Sequence, residues 1–141
     1  MWATPSLAAD GSVIVGSDDG HVYALSSSGQ QRWNYSTRAA AVDAPVAIDG
    51  AGNVFVTAWD GSLAAVNGTT GAAMWRIVVD GSAIQAAPAI ASDGSLVVAT
   101  TAGNVWNVKG MLPSTTPTTT QTGTVTPPAT QSPSGTSPKT K

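Results

Sequence analysis

The chain has 141 residues, no cysteine and a formal net charge of −2, and all eight of its acidic residues are aspartates. The lack of cysteine excludes disulfide bonds, a cysteine-ligated zinc site and a thiol nucleophile. The few basic side chains argue against nucleic-acid binding, because little is available to neutralise phosphates. No apolar run is long enough to span a membrane, and the first residues lack the charged and apolar blocks of a signal peptide.

Three copies of one repeating unit follow one another along the chain. Pro5, Pro45 and Pro88 open the copies at spacings of 40 and 43 residues. Trp33 and Trp75 lie 42 residues apart. A fixed period of this length is the mark of a repeat architecture. The units run from about residue 5 to 44, 45 to 87, and 88 to 110, and the last is cut short.

Each unit reads as a series of short strands separated by glycine-rich turns. In the first unit the strands are predicted at residues 6–8, 12–16, 22–25 and 32–35, with tight turns at Asp10-Gly11 and Asp19-Gly20. The second unit repeats them at 54–57, 63–66 and 74–79, and the third at 96–99 and 105–108. Short β-rich runs at this spacing indicate an all-β fold.

The second strand of every unit is apolar on both faces. Residues 13–15, 54–56 and 96–98 are Val-Ile-Val, Val-Phe-Val and Leu-Val-Val. Both faces of each sheet must therefore be covered by neighbouring sheets, as happens when four-stranded blades pack around the axis of a β-propeller. The sequence predicts a partial propeller, with two full four-stranded blades and part of a third in residues 1–110.

The order of landmarks within a unit resembles the quinoprotein-type, or PQQ-like, propeller repeat. Residues 65–75, Ala-Val-Asn-Gly-Thr-Thr-Gly-Ala-Ala-Met-Trp, are similar to the tryptophan-docking motif of that family, and residues 24–33 are similar to a copy one residue shorter. The resemblance implies that each Trp packs between the Ala of its own motif and the Gly of the next, joining adjacent blades. The implied docking residues are Ala24, Gly29, Trp33, Ala65, Gly71 and Trp75.

The third unit departs from this pattern. Asn107 replaces the docking Ala, and no Thr-Gly or Trp follows it. The motif usually carries an acid at one position, and in the three units that position is occupied by Ser26, Asn67 and Lys109. Propellers of the resembled family have about seven or eight blades, so we interpret the chain as a fragment or a truncated gene model whose open blade faces are apolar.

Residues 111–141 have a different composition. Thr, Ser and Pro account for 21 of these 31 residues. So few apolar side chains cannot offset the entropy cost of ordering, and the sequence predicts a disordered tail. A plain linker and an O-glycosylated stalk are both compatible with this composition.

The sequence offers no catalytic, metal-binding or cofactor-binding residues. His21 is the only histidine, so neither a zinc site nor a serine triad can be assembled around it. Asp18, Asp19 and Gly20 lack the spacing of a calcium loop and are better explained as a turn. The sequons at Asn34 and Asn67 matter only in a secreted eukaryotic protein.

Two functions remain open. The first is a non-catalytic interaction or scaffold module that binds protein partners, or further copies of itself, through blade faces. The alternative is a fragment of a PQQ-dependent dehydrogenase whose cofactor and calcium site lies in blades outside this chain. We favour the first, because no residue matches the positions that the family uses for cofactor and calcium. The resemblance also implies an extracytoplasmic location.

Overall fold

A computed structural model describes residues 3–38, 40–109 and 118–124, which form strands and turns without a helix. The first sheet contains β1 (Ser6–Leu7), β2 (Val13–Gly16), β3 (His21–Leu25) and β4 (Gln31–Ser36). The second contains β5 (Ala47–Ile48), β6 (Asn53–Thr57), β7 (Ser62–Asn67) and β8 (Ala73–Val78). The third contains β9 (Ala89–Ile90), β10 (Leu96–Ala99), β11 (Asn104–Lys109) and β12 (Thr118–Thr124).

Each sheet is a four-stranded antiparallel meander whose strands lie side by side in chain order. The three sheets are the blades expected from the repeat, and the prediction of an all-β partial propeller is confirmed. None of the described residues forms a helix that could cross a membrane.

The third blade contains a strand that the sequence did not predict. β12 pairs with β11 from Asn104↔Thr124 to Lys109↔Thr118 and makes this sheet four-stranded. These seven residues lie in the segment predicted to be a disordered tail, and they differ from that expectation. Threonine is β-branched and suits a strand. The prediction of disorder rested on composition and did not take this strand propensity into account. The rest of that segment, 110–117 and 125–141, lies outside the described residues.

The meander gives each blade two distinct ends. The hairpin end carries the β1–β2 and β3–β4 turns and their counterparts, such as the turn that Gly11 completes with a φ of 83°. Asp10 Oδ1 accepts a hydrogen bond from Ser12 N in this turn at 2.9 Å. The linker end carries the β2–β3 turns together with the linkers to the next blade, residues 37–46 and 79–88.

Two apolar cores lie between the blades, and we call these interfaces the first and second seams. Alternation along each strand of the second blade sends one set of side chains to each seam. Val54, Val56, Ala64 and Val66 pack against the first blade, and a second set packs against the third blade. That second set includes Phe55, Leu63 and Ala65. The second blade is therefore buried on both faces, as its apolar runs predict.

Candidate functional site

Trp33 lies in the first seam at the hairpin end. It stands on β4 opposite Ala24 of β3, and its side chain is 7% exposed. Its Nε1 donates a hydrogen bond to the carbonyl oxygen of Gly68, in the β7–β8 turn of the second blade, at 2.8 Å. A Cβ added to Gly71 would lie 2.8 Å from the Cβ of Trp33 and 2.9 Å from its ring. The indole thus lies on a turn that only glycine can form at this position.

Trp75 occupies the corresponding position in the second seam. It stands on β8 opposite Ala65, and its ring lies 6.3 Å from that of Phe55, centroid to centroid, at an angle of 39°. Its Nε1 is buried and has no hydrogen-bond acceptor among the described residues. The turn of the third blade that corresponds to residues 68–72 falls in 110–117, which the structure does not describe.

The six residues predicted for docking are thus distributed over three places. Ala24, Trp33 and Gly71 meet in the first seam, and Ala65 lies beside Trp75 in the second. Gly29 lies in the β3–β4 turn of the first blade with a φ of 84°, and no atom comes within 4 Å of the position of an added Cβ.

Backbone hydrogen bonds at the linker end also join the blades, and the sequence analysis missed them. Each linker donates to the β2–β3 turn of the blade before it and accepts from that of the blade after it, with the same pattern in both seams. The bonds are Val42 N to Ser17 O at 3.2 Å, Trp59 N to Ala41 O at 3.1 Å, Ile84 N to Ala58 O at 3.2 Å and Thr101 N to Ala83 O at 2.9 Å. Hydrogen bonds between main-chain atoms do not require particular residue types, so the sequence does not mark them. Only the repeat period could have indicated these bonds.

A half-buried carboxylate, Asp80, joins the second linker to the third blade. Its Oδ2 accepts hydrogen bonds from Thr100 Oγ1 at 2.9 Å, Asn104 Nδ2 at 3.1 Å and Trp106 Nε1 at 3.0 Å. Ser82 N donates to Oδ1 at 2.9 Å. Burial alone would raise the pKa of Asp80, but these donors outweigh it and lower the pKa from 3.8 to about 2.

Two carboxyl groups, those of Asp18 and Asp43, interact at the linker end of the first seam. A hydrogen bond between Asp18 and Asp43 is the largest cause of both of their pKa shifts. It lowers the pKa of Asp18 and, together with burial and the charge of Asp18, raises that of Asp43.

The polar side chains considered as catalytic or modified residues take part in local contacts. His21 stacks on Tyr23 at 5.8 Å, and Asp19 accepts hydrogen bonds from His21 N at 3.0 Å and Tyr23 OH at 2.7 Å. Asn67 Oδ1 accepts from Thr69 N at 2.9 Å and Thr70 N at 3.0 Å, which orders the β7–β8 turn. Asn34 lies exposed on β4.

The first seam has an open cleft at the hairpin end, with a volume of about 220 Å³. Alanine and glycine supply most of its lining, and its one charged residue, Asp10, forms an ion pair with Arg32 at 2.5 Å. Ligand pockets are commonly about 300 to 1,000 Å³. Across the described residues, no group of three His, Cys, Asp or Glu side chains could hold a metal ion. The contacts between blades are therefore the best-defined feature on which a function could rest.

Comparison with known proteins gives one family. The model of the PQQ_2 family, described as outer membrane protein assembly factor BamB, matches residues 2–126 of this chain. That match extends past β12. No curated protein matches the chain.

Solved structures show the same architecture. BamB from Moraxella catarrhalis is 24% identical with a TM-score of 0.66, over 76% of this chain and 31% of that one. Quinohemoprotein alcohol dehydrogenase from Comamonas testosteroni is 25% identical with a TM-score of 0.63, over 75% and 18%. A europium-containing methanol dehydrogenase is 20% identical with a TM-score of 0.58, over 74% and 21%. The chain spans less than a third of the length of each of these structures.

Proposed function

The chain belongs to the family described as outer membrane protein assembly factor BamB, and from this premise we propose that it is a non-catalytic interaction module that binds other proteins through an open blade face. The family description names a factor in the assembly of outer membrane proteins. We accordingly propose an extracytoplasmic location for this chain. Fractionation of cells that express the protein tests this location, and recovery of the protein in the cytoplasmic fraction would contradict it.

The observation that carries the proposal is the outer face of the first blade. Five apolar side chains project from this sheet on the side away from the second blade. They are Leu7, Val13, Val15, Tyr23 and Leu25. Leu7 is 74% exposed. An apolar surface of this kind marks a binding face.

The corresponding face of the second blade shows what such an apolar surface does when a neighbouring blade is present. Val54 and Val56, one period after Val13 and Val15, are 0% and 2% exposed because the first blade covers them. The same type of surface is therefore a protein-binding surface inside this molecule. On the first blade it is available to a partner or to a second copy of the chain.

Self-association tests this proposal directly. We expect the average mass of the purified chain, measured by light scattering, to rise with its concentration as oligomers form. We expect Val15→Asp to remain folded by circular dichroism but to be monomeric. Val56→Asp is the matched control, because the same change at the equivalent buried position should unfold the chain. A wild-type chain that is monomeric at every concentration and melts cooperatively would contradict the proposal.

The alternative, a fragment of a PQQ-dependent dehydrogenase, is favoured by one observation. The quinohemoprotein alcohol dehydrogenase shares 25% identity with the chain. Titration with pyrroloquinoline quinone and with calcium separates the two functions. Saturable binding of both by the purified chain would overturn the interaction module.

A further inference from the structure

The linker end of the second blade carries an exposed indole. Trp59 lies in the β6–β7 turn and is 47% exposed, whereas Trp33 in the first seam is 7% exposed. The backbone of this turn is fixed, because Trp59 N donates to Ala41 O at 3.1 Å and Gly61 N donates to Ala58 O at 3.1 Å. An aromatic side chain on a fixed backbone loses little conformational freedom when a partner covers it.

The repeat shows that this turn does not need an indole. The corresponding turn of every blade is closed by a glycine N–H that donates to the carbonyl oxygen three residues earlier. The bonds are Gly20 N to Ser17 O at 3.1 Å, Gly61 N to Ala58 O at 3.1 Å and Gly103 N to Thr100 O at 3.0 Å. Two residues before these glycines stand Asp18, Trp59 and Thr101. The indole is therefore not required by the fold, and tryptophan is enriched at binding surfaces.

Asp43, in the linker between the first two blades, lies beside this indole. A hydrogen bond to Asp18 and burial raise the pKa of the Asp43 carboxyl group, and the Trp59 side chain opposes the rise. Asp43 Oδ1 is buried, and no described residue donates to it. A buried acceptor without a donor costs stability. Folding alone therefore does not explain a carboxyl group at this position.

The linker end carries an excess of negative charge. Its described residues include five carboxyl groups, those of Asp18, Asp19, Asp43, Asp60 and Asp80, and two guanidinium groups, those of Arg38 and Arg76. Arg76 forms an ion pair with Asp60. A negative surface attracts and orients a cationic partner. The face of an indole is also the aromatic surface that binds an ammonium or guanidinium group best.

We propose that the linker end of the first seam binds a lysine- or arginine-bearing segment of a partner protein. A basic side chain of that segment lies over the exposed face of Trp59, and the carboxyl groups of Asp18 and Asp43 supply the attracting charge. This site is separate from the outer face of the first blade. It goes beyond the proposed function and does not depend on self-association.

Titration of the full chain with a short labelled peptide of alternating lysine and glycine tests this site by fluorescence polarisation. We expect saturable binding that weakens as salt is added, and no binding of the matching peptide of glutamate and glycine. Trp59→Thr introduces the residue that stands at the same place in the third blade, so it should fold as the wild type does. We expect it to weaken binding about tenfold.

Two aspartate variants separate a local site from attraction by net charge. Asp43→Asn should weaken binding of the lysine peptide about fivefold. Asp93→Asn is the matched control, because it removes the same charge from a turn at the hairpin end. We expect it to weaken binding less than about twofold, since charges separated by more than a Debye length are largely screened.

The indole N–H resonance of Trp59 in the wild type is a readout that needs no folded variant. It should shift saturably as the lysine peptide is added, whereas the resonance of Trp33, which is buried in the first seam, should stay in place. Val15→Asp should bind the peptide as the wild type does. A monomeric wild-type chain would thus contradict the proposed function and leave this site intact.

Four outcomes would overturn the proposal. The first is the absence of saturable binding of the lysine peptide, and the second is a Trp59 resonance that does not move during the titration. The third is an equal loss of affinity in Asp43→Asn and Asp93→Asn, because net charge alone would then explain the binding. The fourth is binding of spermidine as tight as that of the peptide, because the occupant would then be a free cation.

Discussion

Replacement of Asp80 by asparagine should destabilise the chain strongly, because this carboxylate joins the second linker to the third blade. Asp80 Oδ2 accepts hydrogen bonds from Thr100, Asn104 and Trp106. An asparagine that keeps its oxygen toward Ser82 N turns its NH₂ group toward these three donors, so the donors lose their acceptor.

The size of the effect follows from hydrogen bonds of this type. A bond to a charged group is worth about 1.5 to 3 kcal/mol, and a buried donor left without an acceptor costs about 1 to 3 kcal/mol. The three bonds share one carboxylate oxygen that is only half-buried, so the terms do not add fully. We expect Asp80→Asn to lower the free energy of unfolding by about 3 kcal/mol. For a domain of about 100 residues this lowers Tm by roughly 10 to 20 °C.

Urea denaturation followed by circular dichroism, with thermal melting as a second assay, measures this loss. Asp93→Asn is the matched control, because Asp93 accepts hydrogen bonds from Ser95 N and Oγ within its own turn and joins no two blades. We expect its effect to be much smaller. A loss of less than about 0.5 kcal/mol for Asp80→Asn, the range of ordinary surface substitutions, would refute the role assigned to the carboxylate.

Three further predictions follow from the same contacts. Because the folded pKa of Asp80 is about 2 and its ordinary value is 3.8, the carboxylate contributes stability above about pH 4 that is lost as the pH falls toward 2, about 1 to 2 kcal/mol after allowance for its exposure. Urea titrations at pH 5 and pH 2.5 should show a loss of stability that is larger in the wild type than in Asp80→Asn by about this amount, since Asp10, whose pKa is also lowered, titrates in both proteins. Trp33→Ala should cost about 3 to 5 kcal/mol, whereas Trp33→Phe, which keeps a ring and removes the donor to Gly68, should cost less than half as much in the same assay; equal costs would mean that the ring is not packed as described. Gly61→Ala should cost more than Gly52→Ala in thermal melting, because both have positive φ values but only the Cβ at Gly61 would meet the backbone of Gly81, at 2.9 Å, and equal melting temperatures would contradict that close approach.

Much of the fold follows from the sequence because the repeat and the strand period act together. The period fixed the three units, and apolar residues on both faces of 54–56 required a neighbour on each side. The structure supplies both neighbours, since Val54 and Val56 pack on the first blade and Phe55 on the third. The contact of Trp33 with the β7–β8 turn depends on the indole side chain, and the pattern of residues along the chain can indicate a contact of that kind.

The contacts that the sequence did not predict involve no residue type that is distinctive in the sequence. The linker bonds use main-chain atoms, and β12 is composed of threonine, glutamine and glycine. Nothing in the local sequence distinguishes Asp80, although its Oδ2 reaches Thr100 and Trp106, 20 and 26 residues further along the chain. Sequence separations of that size cannot be inferred from local turn chemistry.

The main-chain bonds of the linkers recur in both seams, whichever side chains the linkers carry. Gene duplication or unequal crossing-over at the proline boundaries would therefore preserve this part of each junction. The contacts of Trp33 at the hairpin end and of Asp80 at the linker end depend instead on residue identity. Side-chain contacts of this kind would decide which modules become adjacent during evolution.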